Sequence, residues 1–188
     1  SSLALTDLRH EGGFRLAGSP GRTVNMDEFR TLYTDGAYAA GVMNKSIPNT
    51  SLQAWYYNVV NVADAYWLQA DWDCQLVKNV KVGAQYANID TKGLAAAFND
   101  SSAYAVKVGY AANALKVSAA YSEADKDGAL KIANVATNNL GTAQSKLYTE
   151  AWWNYGYVGA AGAEAFNVTA EYDAGIAKLA AYYTTVDN

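Results

Sequence analysis

Apolar and polar side chains alternate with period two along much of this chain. Over Ala65 to Asp73, Tyr66, Leu68, Ala70 and Trp72 share one parity, while Trp67, Gln69, Asp71 and Asp73 share the other. Such alternation predicts a β-strand whose two faces meet different surroundings. A strand over Leu76 to Asp90, turned near Asn79, sets Val80, Val82, Ala84 and Tyr86 against Lys81, Gly83 and Gln85. Over Ala103 to Ala112, Tyr104, Val106, Val108 and Tyr110 oppose Ala105, Lys107 and Gly109. Over Ala114 to Ala124, Leu115, Val117, Ala119 and Tyr121 oppose Lys116, Ser118 and Ser122. Ala165 to Tyr172 and Ile176 to Thr184 repeat the pattern, with Tyr172 and Tyr183 on the apolar faces and Glu171 and Lys178 on the polar ones. Ser51 to Val60 is also a predicted strand, but Trp55 and Tyr57 lie on one parity and Tyr56 on the other, so its orientation stays open.

The connections alternate between tight and long. Asn61 to Asp64, Ala112-Asn113 and Asp173-Ala174-Gly175 read as turns, whereas Thr91 to Ser102 and Asp125 to Lys146 are longer and polar. A short helix is expected over Ala129 to Val135. Leu147 to Val158 (LYTEAWWNYGYV) is either a strand or an ordered segment folded inward. Residues 1–50 are irregular and loop-rich. They allow a brief strand at Phe14 to Ala17, a helix capped by Thr23 or Asn25 with Met26, Phe29, Leu32 and Tyr33 on one face, and a short apolar element at Ala37 to Met43. The 188 residues are expected to form a single all-β domain of about eight or nine strands.

Composition narrows the surroundings. Lys and Arg number 14 against 18 Asp and Glu, a net charge of -4, which lacks the positive footprint of a nucleic-acid binder. No apolar run reaches the ~18 residues of a membrane helix. Tyr at 15 and Trp at 5 load the chain with rings that favour boundaries between apolar and wet regions. Two architectures remain open: an antiparallel transmembrane barrel with an apolar outer face and a wet lumen, or a soluble sheet with one buried face, serving binding or adhesion.

Three segments carry a resemblance. AYAAGVMNKSIPNTSLQAWYYNVVNVADAYWLQADW (Ala37 to Trp72), LYTEAWWNYGYVGA (Leu147 to Ala160) and FNVTAEYDAG (Phe166 to Gly175) resemble the major outer membrane porin family of Campylobacter and its relatives, itself similar to OprD-type porins. The resemblance implies an antiparallel barrel of about eighteen strands, homotrimeric, in the outer membrane of a Gram-negative bacterium. It implies passive diffusion of small hydrophilic, cation-preferring solutes and ions, contact with outer-membrane lipid and lipopolysaccharide, and a surface-antigen or adhesin role. No cofactor is implied; calcium binding is described for the family, but its ligands do not map onto positions here. The chain is about half a full member's length and ends TTVDN instead of in an aromatic strand, so the expectation is an internal fragment from the C-terminal half, a partial barrel.

No catalytic constellation stands out, and the expectation is a non-enzyme. A Ser-His-Asp triad would have to use His10, the one histidine, and no serine has a nucleophile elbow around it. Cys74 is the sole cysteine, which excludes a disulfide within this stretch; it reads as inert, beside a turn. Asp71, Asp73, Lys81, Lys107, Lys116, Glu171 and Lys178 are the candidate lumen-facing residues, because charge on a lipid face is costly; on a soluble sheet they would be a solvated face. Tyr66, Trp72, Tyr86, Tyr104, Tyr110, Tyr121, Tyr172 and Tyr183 are the candidates for the lipid face and its aromatic girdles. Glu123, Asp125 and Asp127 crowd oxygen ligands of the kind calcium takes, but lack the twelve-residue loop pattern and read as a solvated acidic loop.

Overall fold

The computed structural model describes residues 2–7, 37–133, 145–151 and 157–188. The expected elements at Phe14 to Ala17 and Met26 to Tyr33, together with His10, Trp152 and Trp153, lie outside the described residues. Among the described residues nine strands form one sheet in chain order: β1 (Ser2–Asp7), β2 (Ala37–Asn44), β3 (Thr50–Val59), β4 (Ala63–Asp73), β5 (Val80–Thr91), β6 (Ser101–Ala112), β7 (Leu115–Ala124), β8 (Glu164–Asp173) and β9 (Lys178–Asp187). Every neighbouring pair is antiparallel. Among the described residues β1 and β9 each have one partner strand, so the sheet is open there, a partial barrel wall.

Asparagine punctuates the tight connections. Asn49, Asn61, Asn79 and Asn113 hold left-handed φ values of 58°, 58°, 68° and 51°, a region Asn enters more readily than other side chains. At one end of the sheet the connections are short: residues 45–49, 74–79, 113–114 and 174–177. The other end carries the tight turn 60–62, residues 92–100, with a 3₁₀ turn at Gly93–Ala95, and the long stretch 125–163. From β3 to β9 the strands run 10 to 12 residues, enough to cross the apolar layer of a membrane when tilted.

The register divides the side chains cleanly between two faces. Tyr66, Trp72, Tyr86, Tyr104, Tyr110, Tyr121, Tyr172 and Tyr183 all fall on one, the outer face. Tyr38, Tyr56, Val42, Leu68, Val106, Val108 and Phe166 join them there, and all of these except the half-buried Tyr121 are exposed. On β6, Tyr104 and Tyr110 stand six residues apart, roughly 20 Å along the strand, with Val106 and Val108 between them. The other face carries the core: Val59, Ala63, Ala87, Ile89, Ala103, Ala105 and Ala165 pack under Leu130, Ile132, Leu147 and Val158 from the 125–163 stretch. The described parts of that stretch therefore fold back over the inner face.

Two expectations change, and of the two readings of Leu147 to Val158 the inward-folded one holds in its described residues. Ser2–Asp7, read as loop, is a strand; its partner β2 lies beyond a long intervening stretch, so no local turn marks the pair. The helix expected over Ala129 to Val135 does not form in its described part, where residues 129–130 are bends and residues 131–133 have no regular structure. Leu147 to Val158 joins no strand ladder in its described residues; residues 147–149 and 157–159 are turns that pack inward.

Candidate functional site: the inner face

The open orientation of β3 is settled by its pairing with β4. Trp55 sits across from Trp67 and Gln53 across from Gln69, so Trp55 and Tyr57 face inward and Tyr56 outward. Gly41 on β2, the register partner of Trp55, makes room for this: a Cβ there would overlap the indole.

All seven charged candidates share the inner face. Asp73 and Lys81 are register partners joined at 2.9 Å. Lys116 stands opposite Glu171, and Lys178 opposite Asp173, at 3.8 Å in the latter pair. These three opposite-sign pairs cluster at the short-turn end. Asp71 and Lys107 lie one level further in, on either side of Gly83. An open cavity of about 760 Å³ spans this half of the face, with Lys45, Asp73, Lys107, Lys116, Glu171 and Tyr148 in its lining.

Tyr148 was absent from the candidates, yet it connects them. Its hydroxyl donates to Asp71 Oδ1 at 2.5 Å, and Lys107 Nζ lies 5.7 Å from its ring centroid. Its backbone N–H donates to Gln85 Oε1 at 2.9 Å, while Gln85 Nε2 donates to the Lys146 carbonyl at 3.1 Å and to Gln69 Oε1 at 3.0 Å. Gln69 Nε2 donates in turn to Asp71 Oδ2 at 2.7 Å. Deeper, the hydroxyls of Ser122 and Thr149 share a fully buried hydrogen bond of 2.5 Å. Ser145 closes the segment locally, its N–H and hydroxyl both donating to Glu150 Oε2 at 2.9 and 2.6 Å. Burial, the hydrogen bond to Asp71 and that carboxylate's charge raise the Tyr148 phenol above the ordinary tyrosine range. Burial lowers the Lys131 ammonium, an effect the nearby Glu150 partly offsets.

The acidic trio does not form a site. Glu123 faces outward on β7 and accepts from the Tyr104 hydroxyl at 2.5 Å and the Tyr121 hydroxyl at 3.3 Å. Asp125 accepts from the Asp127 N–H at 3.1 Å, a local turn. No group of three His, Cys, Asp or Glu side chains suited to a metal ion occurs among the described residues.

No family model and no curated protein matches this chain. Several solved structures do. Pseudomonas aeruginosa OccK5 (OpdH) matches with a TM-score of 0.66 and 16% identity over 100% of this chain and 47% of that one. OpdO of the same organism matches at 0.64 and 14%, over 81% of this chain and 41% of that one. The P. aeruginosa outer membrane protein OprD matches at 0.60 and 13%, covering 80% and 39%. At such identities the likeness shows the fold alone: this sheet has the architecture of a stretch of OprD-type barrel wall. The chain spans less than half the length of these structures.

Proposed function

We propose that this chain is nine neighbouring wall strands of a larger outer-membrane porin, whose water-filled channel passes small hydrophilic solutes by passive diffusion. The carrying observation is the strict division of side chains by register. From β2 to β9 one face exposes aromatic and aliphatic side chains, with Asp64, Asp90, Glu123, Glu164 and Asp187 confined to its long-loop end, and the other face holds the remaining strand charges and the folded-in segment. A soluble sheet would have to cover the outer face, because soluble monomers rarely expose apolar patches beyond a few hundred Å². In hydrocarbon the same face is matched, with the tyrosines of each end at the headgroup level.

Asp71, Asp73, Lys81, Lys107, Lys116, Glu171 and Lys178 then line the lumen, and the eight aromatic candidates meet lipid or its boundary. The open edges support the partial-barrel reading, since unpaired backbone groups do not survive in a bilayer. Membership of the Campylobacter porin family, the homotrimer, the lipopolysaccharide contact and the cation preference rest on the sequence resemblance. On this part of the wall carboxylates and ammonium groups alternate, so selectivity depends on the sum around the whole lumen. The full-length parent in planar lipid bilayers should give discrete conductance steps, with a reversal potential of cation-preferring sign in a salt gradient. A purified, folded parent without discrete steps overturns the channel reading.

A further inference from the structure

We infer that Gly83, Asp71 and Gln85 form a socket for Tyr148, and that this socket, more than the charge of Asp71, sets how far the inward segment narrows the channel. The inference rests on the porin reading. Gly83 stands between Asp71 and Lys107 in register, and a Cβ there would collide with the Tyr148 phenol. The missing side chain leaves a notch in the wall, and the Tyr148 ring lies in it. Both oxygens of Asp71 are engaged, Oδ1 by the Tyr148 hydroxyl and Oδ2 by Gln69. Gln85 uses both ends of its amide on the segment's backbone, accepting from the Tyr148 N–H and donating to the Lys146 carbonyl. Gln85 as a whole is only 5% exposed, so packing holds its side chain in place. Asp71 therefore acts as a positioning residue, through Tyr148.

Size and charge come apart in a variant series of the full-length parent. Tyr148→Phe removes one hydroxyl and no charge. Asp71→Ala removes the acceptor and the charge together. Asp71→Asn removes the charge but keeps a carbonyl that can accept from the phenol. The socket predicts that Tyr148→Phe and Asp71→Ala raise single-channel conductance or open-channel noise alike, while Asp71→Asn stays near wild type in both. A lumen charge acting alone predicts the reverse grouping: Tyr148→Phe unchanged, and Asp71→Asn equal to Asp71→Ala.

A readout independent of conductance uses trypsin on the detergent-folded protein. The carbonyl of the Lys146–Leu147 bond is the one Gln85 holds, so cleavage there requires release of the segment. Losing a hydrogen bond to a charged acceptor should speed that cleavage about tenfold in Tyr148→Phe and Asp71→Ala, with Asp71→Asn close to wild type. Equal cleavage in all three variants and the wild type overturns the socket, whether or not the parent conducts. Intact channels with no conductance difference between Tyr148→Phe and wild type also overturn it and leave the porin reading standing.

Discussion

The two halves of the inner face are built on the same strands and behave as different materials. Toward the long-loop end, Ala63, Ala87, Ala103, Ala105 and Ala165 are buried beneath Leu130, Ile132, Leu147 and Val158. Toward the short-turn end, Lys81, Lys116, Glu171 and Asp173 stand exposed around an open cavity or beside it. The switch occurs within single strands. On β6, Ala103 and Ala105 are buried, whereas Lys107 and Ala111 on the same face are exposed. Small side chains make the difference: alanine leaves a shallow floor on which a folded segment can lie in contact, while long charged side chains keep that space wet. A barrel wall thus carries two patterns, one across its thickness and another along its length.

The contrast is most sharply broken by placing one charge in each half. Ala105→Glu buries an unpaired carboxylate where exposure is 0% and should cost about 3 kcal/mol or more. Ala111→Glu, on the same strand and face, should fall within ~0.5 kcal/mol of wild type. Denaturant unfolding in detergent checks both; equal effects would mean that the dry half is not dry. Leu130→Ala removes a side chain that roofs the alanine floor and should cost about 2–4 kcal/mol by the same measurement.

The Ser122–Thr149 hydroxyl pair ties the segment down inside the dry half. Ser122→Ala should cost about 1–2 kcal/mol because it strands the Thr149 hydroxyl. The double change Ser122→Ala with Thr149→Val should cost less than the sum of the two single changes. A smaller effect belongs to Tyr148, at the boundary of the halves. Its neutral form donates to Asp71, so that contribution is fully present below about pH 10, the ordinary tyrosine range, and fades only as pH climbs through the phenol's own raised value. An absorbance titration should show Tyr148 among the tyrosines that ionise above the ordinary range, and Tyr148→Phe should reduce that late fraction by one tyrosine. Least of all, Lys81→Ala breaks an exposed pair in the wet half and should change stability by ~0.5 kcal/mol or less.

Much of the wall was legible because strand faces are a local property. Tyr104, Val106, Val108 and Tyr110 announce their shared face two residues at a time, and the register places them as their parity predicts. β3 was not legible alone, since Trp55 and Tyr56 put aromatics on both parities; only pairing with β4 decides between them. The dry half was hidden because alanine fits a small wet position as well as a buried floor. The Tyr148 socket was hidden by distance: Gln85 lies 63 positions from Tyr148 and Asp71 lies 77, with no motif joining them. The separation of faces follows from periodicity, whereas the folded-in segment follows from contacts across six strands, β3 to β8.

On β6 the odd positions from Lys107 to Ala111 face water, and the even positions beside them face lipid. Single cysteines placed along β6 of the full-length parent, with Cys74→Ser as background, test it in liposomes. Lys107→Cys, Gly109→Cys and Ala111→Cys should react with a water-soluble maleimide. Val106→Cys and Val108→Cys should resist it and, once labelled with a fluorophore in detergent, be quenched by brominated lipid. Equal maleimide reactivity at Val106→Cys and Lys107→Cys, with no quenching at either, would contradict the account.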